Sequence, residues 1–97
     1  MAEKINFTIE NIVAFANLGV ELDLYAIAKE VHGKNVQDVE YEPEQFPGAI
    51  LKLKEPKTAL LLFKTGKIIC TGAKSEKEIE SAMNQTYELI KPYIKKK

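Results

Sequence analysis

The chain has 97 residues, no net formal charge and one cysteine, with 45% hydrophobic and 29% charged residues. That length suits one domain with a single modest core, and the composition excludes a disordered chain. No apolar run reaches the roughly 20 residues of a membrane span, and the N-terminal MAEKINFTIE lacks the apolar stretch of a secretion signal. With Cys70 alone there is no internal disulfide, so a cytoplasmic protein with no membrane association is expected.

The zero net charge hides an asymmetry. Residues 1–48 carry three lysines against nine carboxylates, and residues 49–97 carry eleven lysines against five. The first half suits a basic partner and the second a polyanion, or both are ordinary solvated faces. Every cation is lysine, which argues against bidentate reading of guanine in a major groove.

In chain order, residues 7–18 contain a strand-like core at 11–16, and Asn17-Leu18-Gly19 reads as a turn. Leu24, Ile27, Ala28 and Val31 have helical spacing, with Asp23 as N-cap. Gly33-Lys34-Asn35 breaks that pattern. A short strand is expected at 39–41, closed by Pro43, and further strands at 49–53, 58–63 and 68–71. Lys64-Thr65-Gly66-Lys67 supplies hairpin chemistry between the last two. Ser75-Glu76-Lys77-Glu78 is a capping box. It opens a helix whose stripe runs through Ile79, Ala82, Met83, Thr86, Ile90 and Tyr93, and Pro92 kinks or ends it. Residues 95–97 read as a frayed tail.

The expected fold is α+β: a curved antiparallel sheet of about five strands backed by one long C-terminal helix, plus a short N-terminal helix. One helix covers one face of the sheet. Alternation puts Leu60, Leu62, Ile68 and Cys70 under it, with Ile12 and Ala14. Asn11, Val13, Phe15, Leu61, Phe63, Ile69 and Thr71 then point outward. So apolar a face calls for a partner, a ligand or a second copy.

Catalytic constellations are absent. His32 stands alone in a loop, Cys70 is inward without a histidine beside it, and no metal-ligand, nucleophile-elbow or phosphate-loop motif occurs. Glu40, Glu42 and Glu44 lack other hard ligands for a metal. Thr71-Gly72-Ala73-Lys74 ahead of a helix is at most a weak phosphate cradle. A binding module is expected, with no enzyme activity, cofactor or metal.

Several stretches, in the right order across roughly residues 5–94, resemble a repeat of the TATA-box-binding protein family, in its archaeal form. They are Glu10-Asn11-Ile12-Val13-Ala14, Asn17-Leu18-Gly19 with Leu22-Asp23-Leu24, and a stirrup-like Glu40-Tyr41-Glu42-Pro43-Glu44-Gln45-Phe46-Pro47-Gly48. Glu55-Pro56-Lys57, Leu61-Leu62-Phe63-Lys64-Thr65-Gly66-Lys67 and Thr71-Gly72-Ala73-Lys74-Ser75-Glu76 complete the set. The resemblance implies a half-saddle that binds and bends A·T-rich double-stranded DNA through its minor groove, in transcription initiation or its regulation. It implies Phe46 and Phe63 as a paired wedge, Asn11 as a hydrogen-bonding group with Val13 beside it, and Leu61, Ile69 and Thr71 as groove lining. Lys52, Lys67 and Lys74 match cations near phosphates. Glu42 and Glu44, with Gln45, match the acids that contact transcription factor B.

The family fuses two such repeats and this chain holds one, so a homodimer is expected to restore a closed, two-fold form. If archaeal, the protein is expected at the nucleoid. Residues 31–38 are longer than usual, lysine stands where arginine is shared, and Phe15 is bulkier than its counterpart. A protein-interaction module using the same fold without bending DNA is the alternative, and an apolar-ligand carrier is a third class.

Overall fold

The computed structural model describes residues 13–95 in full and the backbone of residues 8–10. Strands β1 (Thr8–Glu10) and β2 (Val13–Asn17) are followed by β3 (Glu21–Leu22) and helix α1 (Leu24–Glu30). Then come β4 (Val36–Tyr41), β5 (Gly48–Leu53), β6 (Thr58–Phe63) and β7 (Lys67–Thr71). Helix α2 (Glu76–Ile90), a 3-10 turn (Lys91–Tyr93) and β8 (Ile94–Lys95) close the chain.

The main sheet is antiparallel, in the order β1-β2-β7-β6-β5-β4. Strands β5 to β7, joined by short links, form an antiparallel meander, and β4 adds to its outer edge. Leu60, Leu62, Ile68, Cys70 and Ala14 are fully buried on the side of α2, against Ile79, Ala82, Met83 and Ile90. The stripe and the alternation therefore meet as the sequence patterns require. Ser75 caps α2 by accepting from the Glu78 N–H at 3.2 Å. The returning half of the box differs from the ideal, because Glu78 Oε1 accepts from the N–H of Lys74, one residue upstream of the cap. Asp23 caps α1 by accepting from the Ala26 N–H. Gly66 turns the β6–β7 hairpin at φ +95°, and an added Cβ would fall 2.2 Å from the Val20 carbonyl oxygen.

Of the strand-like core expected at 11–16, residues 13–16 lie in β2, which pairs with β1 with Glu10 opposite Val13; residues 11 and 12, and with them the inward placing of Ile12, lie outside the described residues. Two expectations are corrected. The long link at residues 31–38 is partly strand: β4 begins at Val36, with a bulge between Val36 and Asp38. Polar Gln37 and Asp38 hide it, because an edge strand needs only one apolar face. Lys95 is not frayed. It pairs with Glu21 in the small β3–β8 sheet, where Asp23 N–H donates to the Tyr93 carbonyl at 3.0 Å. Pro92 ends α2 within the 3-10 turn and does not kink it. Among the described residues, no helix is long and apolar enough to cross a membrane.

Candidate nucleic-acid interface

The register sorts the sheet face opposite α2 into rows. The central row runs Ile50–Leu61–Ile69–Phe15 across β5, β6, β7 and β2, with Glu40 of β4 at its outer end. All four apolar side chains are half-buried while their strand neighbours are buried, so this face keeps apolar surface open to solvent. Neighbouring strands are spaced about 4.8 Å apart, so this row is about 14 Å wide. A second row runs Asp38–Lys52–Ala59–Thr71, and half-buried Val13 stands at the start of β2 beside it.

At the other end of β6 stands the aromatic pair. Phe46 and Phe63 lie edge to face with ring centroids 5.7 Å apart. Phe63 pairs in the ladder with Gly48, whereas Phe46 reaches the same spot from the β4–β5 loop. The Glu42 carbonyl accepts from the N–H groups of Gln45 and Phe46, at 2.9 and 3.0 Å, and this turn carries Phe46 back over the sheet. Gly48 leaves room for it. A Cβ there would sit 2.8 Å from the Leu62 carbonyl oxygen, 3.0 Å from Phe46 Cε2 and 3.4 Å from Phe63 Cδ2.

Cations flank both ends of the apolar rows. Exposed Lys67 opens β7 opposite Asn17, near the aromatic end. Exposed Lys52 lies at the opposite end, bordering a recess of about 300 Å³ that is also lined by Gln37, Lys57, Ala59 and Thr71. Lys74 follows Thr71 by one short turn and is likewise exposed. Lys57 and Ile50 were missed by sequence reasoning. Ile50 was available from alternation with Leu51, but Lys57 sits in a turn, where no periodicity places a side chain. The structure thus brings Val13, Phe46, Lys52, Leu61, Phe63, Lys67, Ile69 and Thr71 to one face, while Asn11 lies outside the described residues.

Glu42, Glu44 and Gln45 are exposed on the β4–β5 loop that also carries Phe46. Behind the sheet, burial pushes the Cys70 thiol up from 9.0 to about 11, which keeps it neutral and poorly nucleophilic. Among the described residues, no group of three or more His, Cys, Asp or Glu side chains could hold a metal ion.

An apolar floor with phenylalanines at one end and lysines at both ends can take a flat, apolar-edged polyanion. A family model described as "Transcription factor TFIID (or TATA-binding protein, TBP)" matches residues 6–93. The TATA-box-binding protein of Methanopyrus kandleri is 52% identical over 86 residues, which are 88% of this chain and 46% of that protein. That of Thermoplasma acidophilum is 46% identical over 91 residues, 94% of this chain and 47% of its own length. The solved structure "Methanococcus jannaschii TBP" superposes with a TM-score of 0.73 at 43% identity, over 84% of this chain and 45% of that one. The chain spans about half the length of the relatives it matches.

Proposed function

The chain belongs to the TATA-binding-protein family, and from that premise we propose that it binds double-stranded DNA in an A·T-rich minor groove and bends it. In this reading it acts as a homodimer in transcription initiation or its regulation. The single observation that carries this is the uncovered apolar row ending at the Phe46–Phe63 pair. A minor groove of A·T pairs offers acceptors and no guanine amino group, so a floor with few donors suits it. The row is about 14 Å wide, against about 6 Å for the groove of B-form DNA. The face seats only if the groove opens. Wedging apolar side chains between base steps is how minor-groove benders open it, and this family is itself the standard example. Phe46 and Phe63 are the wedge in this reading. Lys52, Lys67 and Lys74, joined by Lys57, meet phosphates, and Asn11 with Val13 meets the base edges.

In this dimer two copies of the same face join about a two-fold axis, and such an assembly has no intrinsic direction on the DNA. Exposed Glu42, Glu44 and Gln45 form the surface for transcription factor B or a similarly basic partner. In this reading the protein is cytoplasmic and, if archaeal, nucleoid-associated.

The test is energy transfer across a doubly end-labelled duplex containing a TATA sequence, with a G·C-rich control. Protein-dependent bending of the first alone, lost in Phe46→Ala and Phe63→Ala, supports the reading. No bending at concentrations where light scattering shows a dimer overturns it and favours a protein-interaction module.

A further inference from the structure

A second surface lies on the helix side, away from the apolar rows. Tyr25 of α1 is the one large hydrophobic residue exposed among those described, at 76%. Its ring meets Tyr41 of β4 edge to face, with centroids 6.1 Å apart. Tyr41 pairs with Ala49, and Val39 with Leu51. Both partners are fully buried, so Tyr41 faces the covered side. Two hollows flank the ring pair and share it as a wall. One, of about 250 Å³, is completed by Ala28, Lys29 and Pro43. The other, of about 230 Å³, is completed by Leu22, Asp23, Leu24, Lys64 and Lys95.

We propose that this furrow docks an acidic peptide segment of a protein partner, anchored by one bulky apolar side chain against Tyr25 and Tyr41. Each hollow is smaller than the roughly 300–1,000 Å³ of small-molecule pockets, so a side chain is the better fit. Tyrosine supplies a large, rigid contact with a polar tip, the usual anchor of such surfaces. The charge on the walls sets the sign of the partner. Lys29, Lys64 and Lys95 line the hollows against one carboxylate, Asp23, and Asp23 already accepts from the Ala26 N–H at 3.1 Å. Polarity along the furrow follows too. Glu42 and Glu44 flank Pro43, so the peptide's carboxylates lie toward Lys64 and Lys95. Because the furrow is on the opposite side from the apolar rows, this proposal does not depend on DNA binding.

The chain contains no tryptophan, so a tryptophan in the probe reports alone. The probe is a short synthetic peptide with a central Trp-Leu flanked by aspartates, and a lysine-flanked peptide serves as control. Titration with the full chain should give saturable binding with a blue shift of the emission. Tyr25→Ala, and separately Lys64→Glu with Lys95→Glu, should each weaken it by about tenfold. Lys77→Glu, an exposed lysine of α2, should leave it unchanged. The proposal is overturned by an absence of saturable binding, by equal binding of the lysine-flanked peptide, or by equal weakening in Lys77→Glu.

Discussion

Gly48→Ala adds one methyl group at the place where the aromatic pair meets the sheet. It would approach the Leu62 carbonyl oxygen to 2.8 Å and Phe46 Cε2 to 3.0 Å. The oxygen cannot retreat cheaply, because β5 and β6 are paired from Gly48–Phe63 to Leu53–Thr58. The Phe46 ring, carried on a loop, gives way more easily. Overpacking costs about 1–3 kcal/mol, and the stiffer unfolded chain returns about 0.4–1 kcal/mol. The expected net loss is about 1–2 kcal/mol, a fall in Tm of roughly 4–16 °C for a domain of this size. Urea unfolding followed by circular dichroism measures it, and energy transfer on the TATA duplex measures the loss of bending. Gly19→Ala is the control. Gly19 sits at φ +70° with nothing within 4 Å of an added Cβ, so it should lose about 1 kcal/mol to backbone strain and keep its bending. If Gly48→Ala were as stable as the parent and bent DNA equally, the missing side chain would not be what positions Phe46.

Thr86 is fully buried, and its Oγ1 has no hydrogen-bond partner. Thr86→Val should therefore raise stability by about 1 kcal/mol in urea titrations, and a loss would point to an unseen partner. The Cys70 thiol, raised from 9.0 to about 11, favours the folded state while it stays neutral. That stability is complete below pH 9 and falls as pH rises toward 11, by up to about 2–3 kcal/mol. The fall should be shallower in Cys70→Ala, and thiol reagents at pH 8 should react with the parent only on unfolding. Lys57→Ala should weaken DNA binding and lower the slope of log affinity against log salt by about 0.9 per protomer, and an unchanged slope would remove Lys57 from the phosphate contacts.

Where one physical rule acts alone, the sequence was legible. Leu60–Leu62 and Ile68–Cys70 alternate between a helix and an open face, and the Ser75 cap with its apolar stripe defines α2. Where elements are short or polar, local pattern fails. Strand β4 hides behind Gln37 and Asp38 on a sheet edge. Strands β3 and β8 are two residues each and come from opposite ends of the chain, so no window of sequence contains their pairing. Most of the candidate face was placed by alternation, with Ile50 overlooked. Gly48 was readable only as part of a motif, since its steric role depends on a ring delivered by a loop turn. The Tyr25–Tyr41 furrow joins an exposed helix residue to an edge strand that was itself only half recognised.

The central claim is that the apolar face reads the minor groove, and inosine tests it most directly. An I·C pair keeps the major-groove pattern of G·C but lacks the guanine amino group, so its minor groove resembles that of A·T. Bending is compared on one duplex sequence carrying A·T, I·C or G·C pairs at the site. The account predicts that the I·C duplex bends like the A·T duplex while the G·C duplex stays straight. An I·C duplex that behaves like G·C would contradict it.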